Sequence, residues 1–316
     1  MISRLLVTFL LFVGFSCQNA PKKDIPQRAA VASGNVMSNT PWSYYGATGT
    51  QLISDTWNVR TTIKYEHIIE TLPSFFDGIM ARYTTAFGEL PYPRERLNVY
   101  LFAEESQWRR KLQEILGNSA QKWFQLGRGG VTIDGTAVLY DLDRRGRSRA
   151  TLRIAAHEGW HQYAESVFKD CLPTWLDEGI GTWMEGFRIR NGKVQFLPAS
   201  NWDRLSALRR IVHDDRLTSL SILLNSDPSK LLEVGRSSLL GYYAQLWAFT
   251  SFIMEANDGE YRTSLESLLL SAVHGELKKP RTKGGWLNLF TDDPEQMEEE
   301  FKQWVVEYVK PGGEWR

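Results

Sequence analysis

Only two cysteines, Cys17 and Cys171, occur in the 316 residues, so a disulfide-dense scaffold is excluded. Cys171 is expected to be a lone buried thiol, because a free cysteine packs as a small hydrophobe. Net charge is missing too: 37 Lys and Arg balance 37 Asp and Glu. No global basic field exists to draw in nucleic acid. Beyond the N-terminal stretch, no segment approaches the roughly 18 apolar residues needed to cross a bilayer. No internal repeat is visible. What remains is a chain with 42% hydrophobic residues, enough for one large domain or two lobes. Its twelve tryptophans supply large core side chains, or else the lining of a cleft.

Arg4 precedes an apolar run from Leu5 to Phe15, broken only by Thr8 and Gly14. That is the length of a signal-peptide core and too short for a membrane span. The run ends in Gly14-Phe15-Ser16-Cys17, which resembles a bacterial lipobox. The resemblance implies lipidation at Cys17 and export to a bacterial cell envelope, with membrane contact through the lipid alone. Cleavage after Ala20 by ordinary signal peptidase is the rival reading, and it implies secretion. Residues 1–17 are therefore assigned to the signal and residues 18–51, rich in Ala, Ser, Gly and Asn, to a flexible tether.

The folded part is expected to start near Leu52. Trp57 to Thr62 and Leu97 to Phe102 have strand composition. Between them Tyr65, Ile68, Ile69, Leu72, Phe76, Ile79, Met80 and Tyr83 recur at helical spacing. Pro73 should kink or restart that helix. A helix around Trp108, Leu112 and Ile115 should stop at Gly117. Val131 to Ile133 and Thr136 to Tyr140 flank Asp134-Gly135, a hairpin signal because that pair accepts positive φ. From Ser148 onward the pattern is almost wholly helical. The fold class is α+β: a small mixed sheet with helices over 52–190, then a helical C-terminal lobe over 191–316 that closes a cleft.

His157-Glu158-Gly159-Trp160-His161 reads H-E-x-x-H. On a helix, residues four apart share a face, so two imidazoles converge on one ion. Glu158 points to the neighbouring face, where it can act as a general base without ligating. Arg144, Arg145, Arg147, Arg149 and Arg153 just upstream read as a solvated loop and helix start. His67, His213 and His274 have no companions at ligand spacing.

Catalytic zinc needs a third protein ligand and an open position. Downstream lies Leu172-Pro173-Thr174-Trp175-Leu176-Asp177-Glu178-Gly179, and further on Tyr243-Ala244-Gln245. With these three parts the chain resembles the gluzincins, and most of all the bacterial peptidase-MA-like families of unknown function, over roughly residues 52 to 265. The resemblance implies a zincin-like fold, one Zn2+ per chain and Glu178 as third ligand. It also implies Asp177 as a carboxylate orienting a metal-bound His. Glu185, two turns beyond Glu178, either stands behind the ligands or is merely solvated. Tyr243 is the candidate to stabilise an oxyanion, with Tyr242 as the other choice. By the same resemblance, the strand 136–140 is a candidate edge for pairing with an extended substrate. The expected activity is metal-assisted hydrolysis of peptide bonds by a monomer acting on a peptide or protein. The alternative is a non-catalytic envelope-anchored binding protein that retains a zinc site.

Overall fold

The computed structural model describes residues 38–124, 129–143, 149–190 and 193–310. A six-stranded mixed sheet occupies the N-terminal part, and a mostly helical region follows it. Strand β1 (Ser38–Tyr44) and β2 (Ala47–Ile53) form a hairpin that continues antiparallel into β3 (Trp57–Thr61). Helix α1 (Glu66–Thr85) crosses to β4 (Leu97–Phe102), which lies parallel to β3. Helix α2 (Glu105–Leu116) and the single turn α3 (Gln121–Phe124) lead to β5 (Gly130–Ile133) and β6 (Thr136–Tyr140). The spatial order is β1-β2-β3-β4-β6-β5, with β6 parallel to β4 and antiparallel to β5.

The strands alternate between two cores, as a period of two demands. Val99, Leu101, Ala137 and Leu139 face the main core, which α1 and helix α4 (Arg149–Val167) complete. Phe102 and Val138 face a smaller cluster capped by Trp108 and Leu112 of α2. After α4 come α5 (Thr174–Met184), a short hairpin of β7 (Phe187–Arg190) and β8 (Lys193–Phe196), then α6 (Trp202–His213). The rest is α7 (Leu220–Leu223), α8 (Pro228–Val234), α9 (Arg236–Glu255), α10 (Arg262–His274) and α11 (Pro294–Tyr308). Leu246, Trp247, Phe249 and Ile253 of α9 are all buried in the main core, so the helical region shares the sheet's core.

Several expectations change. Residues 38–51 are not tether but the outer hairpin of the sheet. Tyr45 and Gly46 turn the hairpin with φ of 46° and 82°. Buried Tyr44 packs on Phe102, with ring centroids 4.7 Å apart, so aromatic contact anchors a stretch whose Ser, Thr and Gly content suggested a linker. Pro73 does not restart α1, which runs on through it with Leu72 and Phe76 fully buried on either side. Burial of that apolar face offsets the ~3 kcal/mol cost of an interior proline. The boundary at 190/191 cuts the β7–β8 hairpin and marks no division of the core. Cys171 is exposed and disulfide-bonded rather than a lone buried thiol, because it lies on a surface connection between α4 and α5. Cys17, with its expected lipid, lies outside the described residues. Asp134 and Gly135 do take positive φ, 46° and 69°, in the β5–β6 turn.

Candidate metal centre

Helix α4 presents His157 and His161 one turn apart, and α5 packs beside it with Glu178 facing both. His157 Nε2 lies 3.3 Å from Glu178 Oε2, and His161 Nε2 lies 3.8 Å from the same oxygen. The three ligand atoms all fall within 4.8 Å of one another. Around a tetrahedral ion with bonds of about 2.0–2.2 Å, ligand atoms stand roughly 3.4 Å apart. The donor set and its spacing therefore fit a metal ion, and the group can hold one. His157 and Glu178 are buried, and the His161 side chain is 12% exposed. Among the described residues no fourth His, Cys, Asp or Glu joins the group.

Behind each imidazole stands a carboxylate. His161 Nδ1 is 3.0 Å from Asp177 Oδ2, and His157 Nδ1 is 2.9 Å from Glu185 Oε1. The His157 ring thus donates its Nδ1–H to Glu185 and turns Nε2 toward the shared centre, while His161 Nδ1 stands in ion-pair range of Asp177. Glu185 is buried, not solvated, and also accepts from Asn201 Nδ2 at 2.9 Å and from Arg204 Nη2 at 2.7 Å. Burial alone would raise its pKa, but the Arg204 charge and the His157 contact hold it well below the usual carboxylate range.

Two glycines make this packing possible. A Cβ on Gly179 would meet Thr250 Oγ1 of α9 at 2.7 Å. A Cβ on Gly181 would meet three atoms of the His157 ring at 3.1–3.2 Å. Gly181→Ala is expected to push that ring off its line to Glu178, at an overpacking cost of about 1–3 kcal/mol. Zinc titration and urea unfolding of the variant check it: affinity should fall together with stability.

Burial works against protonating either ring, yet the carboxylates outweigh it. His161 is pushed up to about 10, with burial opposing and the Asp177 charge and hydrogen bond raising it. His157 is raised as well, its burial overcome by hydrogen bonds to Glu178 and Glu185. Without a metal, His161 keeps its proton across neutral pH. A ligating imidazole must be neutral, so metal uptake should expel that proton. Affinity is then expected to rise as pH increases from about 6.5 toward about 10. The metal-free fold should change in the opposite sense. Protonated His161 stabilises it fully below the unfolded pKa, and that contribution is lost as pH climbs through the folded value. Calorimetry in buffers of differing ionisation heat, with urea unfolding in chelator, measures both trends.

Glu158 sits beside the ligands and is partly exposed. The Thr132 hydroxyl of β5 lies 2.9 Å from its Oε2 and 2.9 Å from its carbonyl, fixing its orientation. This contact overturns the expected substrate edge. Strand β6 pairs with β4 on one side and β5 on the other, so its backbone groups are spent. Among the described residues β5 is the outer strand on this side of the sheet, and it runs past Glu158.

Both candidate tyrosines are buried near Glu178. Tyr243 donates its hydroxyl to Glu178 Oε1 at 3.4 Å. The Tyr242 hydroxyl has no hydrogen-bond partner among the described residues. Burial, then the Glu178 charge, push its pKa up, so it stays a donor at neutral pH. Tyr242 also lines a cavity of about 350 Å³ between α6, α7, α8 and α9, together with Arg210, Ile222 and Leu231. Of the upstream arginine cluster, Arg144, Arg145 and Arg147 lie outside the described residues. Arg153 contacts Asp203 at 3.4 Å and the Ser200 carbonyl at 3.3 Å, tying α4 to the start of α6.

Sequence reasoning did not single out Thr132, Asn201 or Arg204. None stands at a spacing tied to the motif, and only the hydrogen bonds of buried Asn201 and half-buried Arg204 mark the last two. Residues 150–271 match the model of a family described as a protein of unknown function, DUF1570. The matched span takes in His157, Glu158, His161, Glu178, Glu185, Arg204 and Tyr243, while the whole sheet precedes it. No curated protein sequence matches the chain.

Proposed function

We propose that this chain is a zinc-dependent hydrolase of gluzincin type that cleaves amide bonds in peptides or proteins. The observation that carries the reading is Glu178 turned toward both imidazoles while Glu158, left out of the ligand set, stands beside them. His157, His161 and Glu178 would hold the ion. When bound, zinc supplies Lewis acidity to a water and a carbonyl. The chain's own residues do the rest. Glu158, oriented by Thr132, accepts a proton from the attacking water and returns it to the leaving amine. Tyr243, whose hydroxyl stands 3.4 Å from Glu178 Oε1, or its neighbour Tyr242 would donate to a developing oxyanion. The outer strand β5 offers backbone groups to an extended peptide, which fits a peptide substrate.

The signal-like N-terminus fits export. A quenched peptide library, compared between wild type and Glu158→Gln, tests the activity. Equal behaviour of the two on every peptide would leave only a binding protein with a metal site.

A further inference from the structure

The carboxylate behind His157 does not hold itself in place. Glu185 sits at the end of α5 with its side chain 10% exposed. Arg204, from the first turns of α6, grips it with both prongs: Nη2 to Oε1 at 2.7 Å and Nε to Oε2 at 3.0 Å. The Arg204 side chain is itself only 16% exposed. Asn201 donates to the same carboxylate and to the Thr182 carbonyl of α5, at 2.9 and 3.2 Å. On its other side the guanidinium lies 5.4 Å from the centre of the Tyr243 ring, and that tyrosine bonds Glu178. One cation thus touches the partner of one ligand and the partner of another.

We propose that Arg204 is a positioning residue of the metal centre, setting the His157 ring through Glu185 and the Glu178 side chain through Tyr243. The inference rests on the metal reading above. A paired fork fixes the plane of a carboxylate, which a single contact cannot do. With that plane fixed, Glu185 Oε1 accepts from His157 Nδ1 along one direction, and the imidazole keeps Nε2 on Glu178. Without Arg204 the carboxylate keeps only one contact on each oxygen, from Asn201 and from His157 itself, and its plane is held less firmly against the ring. The helical region therefore completes a site whose ligands all come from α4 and α5.

The test uses the full chain. Zinc affinity is read by competition with a chromophoric chelator, cobalt coordination by its visible spectrum, and metal-free stability by urea unfolding. Arg204→Met should weaken zinc binding about 10- to 100-fold, the usual effect of removing such support, and alter the cobalt spectrum. It also strands a buried carboxylate, so it can fail to fold. A double variant, Glu185→Leu with Arg204→Leu, removes both charges, a replacement that buried pairs often tolerate. It should fold like the wild type without metal yet show the same weakened zinc binding and altered spectrum. Wild-type affinity and an unchanged cobalt spectrum in that folded double variant would overturn the role of Arg204. A wild-type chain that takes up no zinc would instead overturn the metal reading itself.

Discussion

Glu158→Gln is expected to lose hydrolysis by about 10²- to 10⁴-fold, the range that general acid–base groups contribute, while keeping its metal. The amide has the size and shape of the carboxylate but cannot take up a proton. Its oxygen can still accept from Thr132, so the side chain should stay where Oε2 now lies, 2.9 Å from that hydroxyl. The ligand set is untouched, because Glu158 is not a member of it. Loss of turnover with unchanged zinc content and unchanged unfolding would separate proton transfer from architecture. If the variant cleaved as fast as the wild type, Glu158 would have no part in the chemistry.

The second large effect concerns the metal itself. The purified chain should carry about one zinc, and His161→Ala should carry none after dialysis. The loss is expected to be near complete because among the described residues only three candidate ligands come together, and two cannot define a catalytic site. Linkage gives a second readout. At free zinc a hundredfold above Kd, binding adds about 2.7 kcal/mol of stability. That increment should vanish in His161→Ala and in wild type with chelator alike. Elemental analysis and thermal unfolding with and without chelator measure both. A wild-type chain that folds, shows no zinc-dependent rise in Tm and returns metal-free would remove the centre from consideration.

The candidate metal ligands were legible in the sequence for a physical reason. His157 and His161 are bound by helix periodicity, so their spacing already states their geometry. Glu178 could be placed only through its resemblance to a second motif, yet it too lies on a regular helix. Asp177 and Glu185 were legible as candidates because they share that helix or its end. Arg204 and Asn201 were not, since a connection through β7 and β8 brings them back to the site and no periodic rule spans it. The outer strand was misread for a related cause. Composition shows that 130–133 and 136–140 are strands, but the order of strands in the sheet depends on which partner β4 takes. The N-terminal hairpin escaped notice because its polar faces resemble linker, and only the packing of Tyr44 against Phe102 reveals its role.

The sheet order has a practical corollary. Strand β1 forms one margin and β5 the other, five interstrand steps apart, or roughly 24 Å at about 4.8 Å per step. Ser38 therefore feeds in from the flank opposite the one where Thr132 greets Glu158. Affinity handles, surface-immobilisation linkers or reporter fusions joined ahead of Ser38 should leave the candidate metal centre unobstructed, whereas the same additions grafted into the β5–β6 turn would crowd it.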